Sequence, residues 1–136
     1  MIWNSHYRDV PEGAHAFLGA SQHSWMNYDE EKLISVYKNR LAVARGNKLH
    51  KLACDMINMG VRPRSTKQTF NMYVNDCISG KFKPEQVLYF SPNSFGTADA
   101  IRFKEKQGSL TIHDLKTGVT PASLKQLEVY AALFCL

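Results

Sequence analysis

The sequence has 136 residues, 44% of them hydrophobic and 21% charged, which suits one globular domain with a single core. It contains no run of about 18 apolar residues and no secretory signal, so we expect neither a membrane span nor a membrane partner. The three cysteines are scattered and form no C-x-x-C pair, which favours reduced thiols in the cytoplasm over a disulfide framework or a zinc site.

Positive charge is concentrated in one part of the sequence. The net charge is +5, and between Lys32 and Cys54 there are six Lys or Arg residues and no Asp or Glu. Such a cluster suits contact with a phosphate backbone, although a solubilising surface accounts for it equally well.

Two helices are predicted in the first half of the chain. Apolar residues at helical spacing indicate a long helix that begins near Asn27 as its cap and ends at Gly60, with a kink or break at Gly46. A second helix is predicted over 65–80, where Ser65 or Thr66 can cap the start.

The pattern then changes to that of strands. After a predicted turn at "FKPEQ", strands are expected over 86–91, 95–105 and 109–116, with a hairpin turn at 106–108. A final helix is predicted over 122–136. The order α, α, β, β, β, α predicts an α/β (α+β) domain built on a three-stranded antiparallel meander.

The stretch "HDLKTG" places two charges at the end of the third predicted strand. Because side chains alternate across a strand, Asp114 and Lys116 continue an apolar face, and Asp99 of the neighbouring strand lies opposite or diagonal to Asp114. Two close carboxylates repel each other, and a divalent cation relieves both, with oxygen ligands favouring Mg²⁺ or Mn²⁺. A Lys116 salt bridge to one aspartate, with the other solvated, is the alternative.

Residues near these charges favour a functional site. Gly96 and Ala98 leave space around Asp99, and Thr117 with Gly118 leaves room for a substrate after Lys116. Two further pairs are each spaced four residues apart on one helical face: Gly46 with His50, beside Arg45 and Lys48, and Gln126 with Tyr130.

These motifs, in this order, resemble the PD-(D/E)XK nuclease superfamily, and most of all its RecB-like branch, which includes phage-type exonucleases. The motifs are a G-x-x-x-H helix, "GTADAI", "LTIHDLKTG" and "QLEVY", and they cover roughly 46–130. The resemblance implies a restriction-endonuclease-like core with long N-terminal helices, the meander and a C-terminal helix, as one domain over 1–136. The family core usually adds a further strand, so a truncated or minimal C-terminus is also implied.

The resemblance assigns roles to individual residues of this sequence. Asp99, Asp114 and Lys116 would be catalytic, and one or two Mg²⁺ or Mn²⁺ ions would be bound by His50, Asp99, Asp114 and the Leu115 carbonyl. Three scattered cysteines cannot hold the four-cysteine iron–sulfur cluster of some relatives. The residues expected to contact DNA are Gln126, Tyr130, Arg45, Lys48 and Thr117.

The function implied is metal-dependent hydrolysis of DNA by an exonuclease that acts in recombination, repair or phage DNA processing. The setting would be the cytoplasm of a bacterium or of a phage-infected host, with a second copy of the chain or a recombination protein as a partner. Two alternatives stay open. One is a catalytically silent DNA-binding or assembly module on the same fold, and the other is an unrelated basic α/β protein whose D-x-K arises by chance.

Overall fold

The computed structural model describes residues 9–136. The chain divides into two compact units, Met1–Leu41 and Ala42–Leu136. All of the predicted site residues belong to the second unit.

The first unit contains a short 3-10 helix over His23–Asn27. The Trp25 indole N–H donates to the Gly19 carbonyl at 2.9 Å, and the rings of Phe17 and Tyr37 meet edge to face with their centroids 5.0 Å apart. These contacts identify Phe17, Trp25 and Tyr37 as packing groups.

Helix α1 spans Glu30–Met59. The Asp29 carboxylate accepts the Lys32 backbone N–H at 2.8 Å, so Asp29 caps the helix. The prediction of Asn27 as the cap is therefore wrong, because Asn27 closes the preceding 3-10 turn. The helix continues without a break through Gly46.

Helix α2 spans Thr69–Gly80 and begins four residues later than predicted. Gln68 stands at the cap, while the Thr66 hydroxyl accepts the Asn71 side-chain amide at 3.0 Å and stabilises the turn before the helix. The prediction of Ser65 or Thr66 as the cap is therefore wrong. Lys81 ends the helix in the left-handed conformation, with φ of 54°.

The sheet has three antiparallel strands in the order β1-β2-β3, as predicted: β1 is Lys83–Ser91, β2 is Ser94–Lys104 and β3 is Ser109–His113. The predicted turn at "FKPEQ" is wrong, because Lys83 pairs with Ile101 and Pro84 with Ala100. Strand β3 ends three residues before the predicted limit. The hairpin turn between β2 and β3 is confirmed, since a 3-10 turn over Glu105–Gln107 is closed by Gly108 at φ of 55°.

Helix α3 spans Lys125–Cys135, beginning three residues later than predicted, and contacts all three strands. The main core joins α1 and α2 to the sheet and to the segment after β3. The buried residues of this core are Ala53, Ile57, Val74, Cys77, Phe82, Ala100 and Leu115.

Within residues 9–136, no helix has both the length and the apolar character needed to cross a membrane.

Candidate functional site

Asp99 in the middle of β2 brings α1 and the segment after β3 together. One of its carboxylate oxygens, Oδ2, accepts the Leu115 backbone N–H at 2.8 Å and lies 3.4 Å from Nδ1 of His50. The Asp99 side chain is 15% exposed and that of His50 is 32% exposed, so both reach solvent from a partly buried position. His50 and Asp99, which are far apart in sequence, therefore meet in space.

Glu85 in β1 joins them, and the sequence had not predicted it. The donor atoms of His50, Glu85 and Asp99 all lie within 4.8 Å of one another. The register of β1 on β2 pairs Pro84 with Ala100 and Gln86 with Ala98, so Glu85 stands opposite Asp99. Like charges directly opposite each other on neighbouring strands destabilise a sheet, so this pair favours a cation between the carboxylates.

The backbone of Glu85 is strained. Its φ is 50°, in the left-handed region that non-glycine residues rarely adopt inside a strand. The only other described non-glycine residue with positive φ is Lys81, which has the common role of ending a helix. Strain of this kind costs about 1–3 kcal/mol and is concentrated at functional sites.

Asp114 and Lys116 form a close ion pair just beyond the end of β3. The Lys116 ammonium lies 2.6 Å from Oδ2 of Asp114, and the Asp114 side chain is only 8% exposed. The hydrogen bond to Asp114 raises the pKa of Lys116, and the charges of Asp114 and Asp99 act in the same sense. Lys116 is thus a cation held beside two carboxylates.

Asp114 is adjacent to the three-residue group without belonging to it. Strand β2 pairs Ala100 with His113, so continuing that register by one residue sets Asp114 opposite Asp99. Among residues 9–136, the metal-competent donors within 4.8 Å of one another come from His50, Glu85 and Asp99. The structure thus brings the predicted Asp114 and Lys116 together as a pair, next to a ligand set that includes Glu85.

Helix α3 supplies a polar chain that reaches Lys116. The Lys116 ammonium donates to Oε1 of Gln126 at 2.9 Å, and Nε2 of Gln126 donates to the Tyr130 hydroxyl at 2.9 Å. A Cβ atom added to Gly96 would lie 2.8 Å from the Tyr130 ring, so this approach depends on a glycine in β2. The space predicted around Asp99 is therefore occupied in part by Tyr130.

The remaining predicted residues are Leu115, Thr117, Arg45 and Lys48. The Leu115 side chain is 2% exposed and belongs to the core, so only its backbone faces the site. Thr117 approaches α1 closely, since a Cβ atom on Gly46 would lie 3.1 Å from its hydroxyl. Arg45 and Lys48 are exposed on α1, and no described carboxylate lies within 4.0 Å of either.

An open cleft of ≈ 520 Å³ leads to the three-residue group. Its lining includes three carboxylates and one lysine, and that lysine, Lys51, lies 3.4 Å from Asp55. Burial raises the pKa of Cys54 in this cleft, and the charges of Glu85 and Asp55 raise it further. The cleft is thus negative where the donors of His50, Glu85 and Asp99 converge.

Comparison with known proteins gave no relative. No protein-family model matches the chain, and neither a curated protein nor a solved structure is similar to it.

Proposed function

We propose that this chain is a Mg²⁺- or Mn²⁺-dependent nuclease that hydrolyses phosphodiester bonds in DNA, acting as an exonuclease on a restriction-endonuclease-like core. The observation that carries the proposal is the convergence of His50, Glu85 and Asp99 beside the Asp114–Lys116 pair. A metal site and a nearby lysine are the two features that the resemblance assigns to phosphodiester hydrolysis, and in this chain the candidate groups for both adjoin.

The donor set fits a divalent cation. Two carboxylates and one imidazole supply oxygen and nitrogen ligands. Such a ligand set suits Mg²⁺ or Mn²⁺, whereas structural zinc sites are rich in thiolate ligands. Ligands of one Mg²⁺ lie at about 2.1 Å from it, so donors within 4.8 Å of one another need only a small adjustment. The repulsion between Glu85 and Asp99 would be relieved by the same ion.

A bound divalent ion would lower the pKa of a water molecule and polarise a phosphate oxygen. Residues of the chain position the groups that would hold this ion. Leu115 holds Asp99 in position through its backbone N–H, and Nδ1 of His50 lies 3.4 Å from the same carboxylate oxygen. The carboxylate of Glu85, whose backbone φ is 50°, lies within 4.8 Å of the donor atoms of His50 and Asp99.

Lys116 is the residue that would meet the phosphate. It is 46% exposed, so its ammonium can reach a ligand in solvent while Asp114 and Gln126 orient it. A cation fixed in this way can stabilise negative charge that develops on the phosphate, a contribution of about 100- to 1,000-fold in rate for comparable donors. Its raised pKa keeps it charged across the neutral range.

The DNA path would run over α1 and α3. Gln126 and Tyr130 form one hydrogen-bonded unit with Lys116, which suits positioning of the strand next to the site. Arg45 and Lys48 are exposed and carry no carboxylate partner among the described residues, so they are available to phosphates. Contacts of this type make affinity fall steeply with salt.

A catalytically silent DNA-binding or assembly module is the second candidate. One observation favours it: Asp114 is paired with Lys116 at 2.6 Å and is nearly buried, which is the geometry of a structural ion pair. In that case the basic residues would bind DNA, and no bond would be broken.

Cleavage of end-labelled linear DNA and of circular DNA, with Mg²⁺ or with EDTA, separates the two candidates. Purified wild-type protein should degrade linear DNA only with Mg²⁺, and Lys116→Ala should reduce the rate about 100-fold or more. The matched control is Lys125→Ala, which removes an exposed lysine whose partner is Glu128 and should leave the rate unchanged. Binding without cleavage by wild-type protein would establish the silent module instead.

A further inference from the structure

A second cavity, of ≈ 580 Å³, lies near the start of β1 and the end of β2. It shares no lining residue with the cleft at His50, Glu85 and Asp99. Its volume falls in the range of small-molecule binding sites, about 300–1,000 Å³. The residues that define its chemistry are Lys81, Lys83, Arg102, Glu105, Phe103 and Phe134.

Three cations line this cavity against one carboxylate. No described carboxylate lies within 4.0 Å of the charged groups of Lys81, Lys83 or Arg102. Lys81 also has a structural reason for its position, since a cation at the C-terminal end of α2 complements the helix dipole. Lys83 begins the edge strand β1, and its ammonium has no carboxylate partner among the described residues.

Arg102 is the most unusual of the three cations. Its Nη groups donate only to neutral acceptors, the Gly80 carbonyl at 3.2 Å and the Thr111 hydroxyl at 3.4 Å, and its Nε is buried without a partner. The guanidinium stacks over Phe82, 4.6 Å from the ring centroid. Two neutral acceptors and one aromatic ring replace the lost hydration of this partly buried guanidinium only in part, and an anion in the cavity would supply the missing charge.

The same cavity has an aromatic wall. The rings of Phe103 and Phe134 lie 5.1 Å apart, yet the residues remain 46% and 37% exposed. Exposed aromatic side chains beside cations are the combination with which proteins bind the bases and phosphates of single strands. An inorganic anion would use the cations and leave the rings in water.

We propose that this cavity binds a nucleoside phosphate, either as a free nucleotide or as one unit of a single-stranded nucleic acid. The base would pack on Phe103 and Phe134, and the phosphate would be bound by Lys83 and Lys81. Arg102 would add positive charge without direct contact, because its side chain lies on the opposite face of β2 from Phe103. Glu105 offers an acceptor to the sugar hydroxyl or to an N–H of the base. The proposal does not depend on the nuclease function, because it uses neither a metal nor any residue of the first cleft.

Heteronuclear NMR titrations in EDTA test the proposal on the whole 15.4 kDa chain. Wild-type protein should bind dTMP with shifts centred on Lys83 and Phe103, while thymidine and inorganic phosphate should each bind at least about fivefold more weakly. Lys83→Glu should weaken dTMP binding about tenfold, and Phe103→Leu, which keeps an apolar side chain, about fivefold. The matched control is Lys106→Gln, an exposed lysine outside the cavity, and it should bind as wild type does.

The same titration with oligo(dT) distinguishes the two sources of the ligand. If oligo(dT) binds more tightly than dTMP and loses affinity in the same variants, the cavity holds one unit of a strand. If the strand binds no better than dTMP, the cavity holds a free nucleotide. The proposal is overturned if dTMP does not bind at about 5 mM, if phosphate binds as well as dTMP, or if both cavity variants bind like wild type while their spectra remain folded.

Discussion

Two positions on β2, three residues apart, have opposite electrostatic problems. Around Asp99, the carboxylate of Glu85 adds negative charge, and the adjoining lysine, Lys116, is paired with Asp114. Arg102 and two lysines line a cavity, and the Arg102 guanidinium donates hydrogen bonds only to neutral oxygens. A chain selected for stability alone would have paired these charges, so each region has the character of a site open to a ligand of opposite sign.

The largest expected effect is a loss of Mn²⁺ affinity in variants of the region around Asp99. Asp99→Asn keeps the acceptor for the Leu115 N–H but removes the charge, so Mn²⁺ affinity should fall about 100-fold, and His50→Ala should lower it at least about tenfold. Calorimetric titration with Mn²⁺ measures both. Asp76→Asn on α2 is the control and should bind Mn²⁺ as wild type does. Unchanged affinity in His50→Ala would remove that residue from the site.

The second effect is on thermal stability in the presence of metal. A ligand that binds only the folded state stabilises it by about 2.7 kcal/mol at roughly 100 times its dissociation constant. Mn²⁺ should therefore raise the Tm of wild-type protein by several degrees, and of Lys83→Glu equally, but not that of Asp99→Asn. Circular dichroism measures these Tm values. If Mn²⁺ raises the Tm of Asp99→Asn as much as that of wild-type protein, the ion binds elsewhere.

A smaller effect tests the strain at Glu85 against that at Lys81. Glycine adopts positive φ at no steric cost, so Glu85→Gly and Lys81→Gly should each raise the free energy of unfolding of the metal-free protein by about 1 kcal/mol. Only Glu85→Gly should also lose Mn²⁺ affinity. Urea unfolding with and without Mn²⁺ measures both quantities. If Glu85→Gly is no more stable than wild type, the strain is not a cost that the site imposes.

The smallest effect concerns His113, whose ring stacks on Phe82 at a centroid distance of 4.2 Å. Burial lowers the pKa of His113, Arg102 acts in the same sense, and Asp76 opposes them. In the unfolded chain His113 therefore takes up a proton near pH 6.5, whereas in the folded chain it takes up that proton only at a lower pH. This contribution to stability is complete above about pH 6.5 and is lost as the pH falls through the folded pKa.

Melting curves between pH 7.5 and 5 test this contribution, with an expected decrease of about 1–3 °C from His113 alone. The decrease should be smaller in His113→Gln, which cannot take up the proton. A steeper pH dependence in His113→Gln than in wild type would reverse the sign of the argument.

Much of the fold follows from local patterns in the sequence. The two predicted long helices, the three strands and the turn closed by Gly108 all occur where the spacing predicts, and their ends coincide with the prediction or differ from it by up to four residues. The main error, the turn read at "FKPEQ", arose because Pro84 reads as a strand breaker. Strand β1 lies at the edge of the sheet, where a proline need not donate to a neighbour.

The site was only partly predictable. The alternation in β3 and the hairpin turn indicated that Asp99 and Asp114 adjoin, and four-residue spacing indicated the Gln126–Tyr130 pair. Glu85 was missed because its strand was read as a turn, and extending β1 by three residues would have set it opposite Asp99. The contact of His50 with Asp99 depends on how α1 packs on the sheet, which no local pattern contains, and only the resemblance indicated it.

The central claim is that His50, Glu85 and Asp99 hold one divalent cation. Anomalous diffraction from crystals grown with Mn²⁺ tests it most directly. The account predicts an anomalous peak within about 2.3 Å of a donor atom of each of the three side chains, absent in Asp99→Asn. A well-ordered structure with no peak at this position, or with the peak bound by other residues, would contradict it.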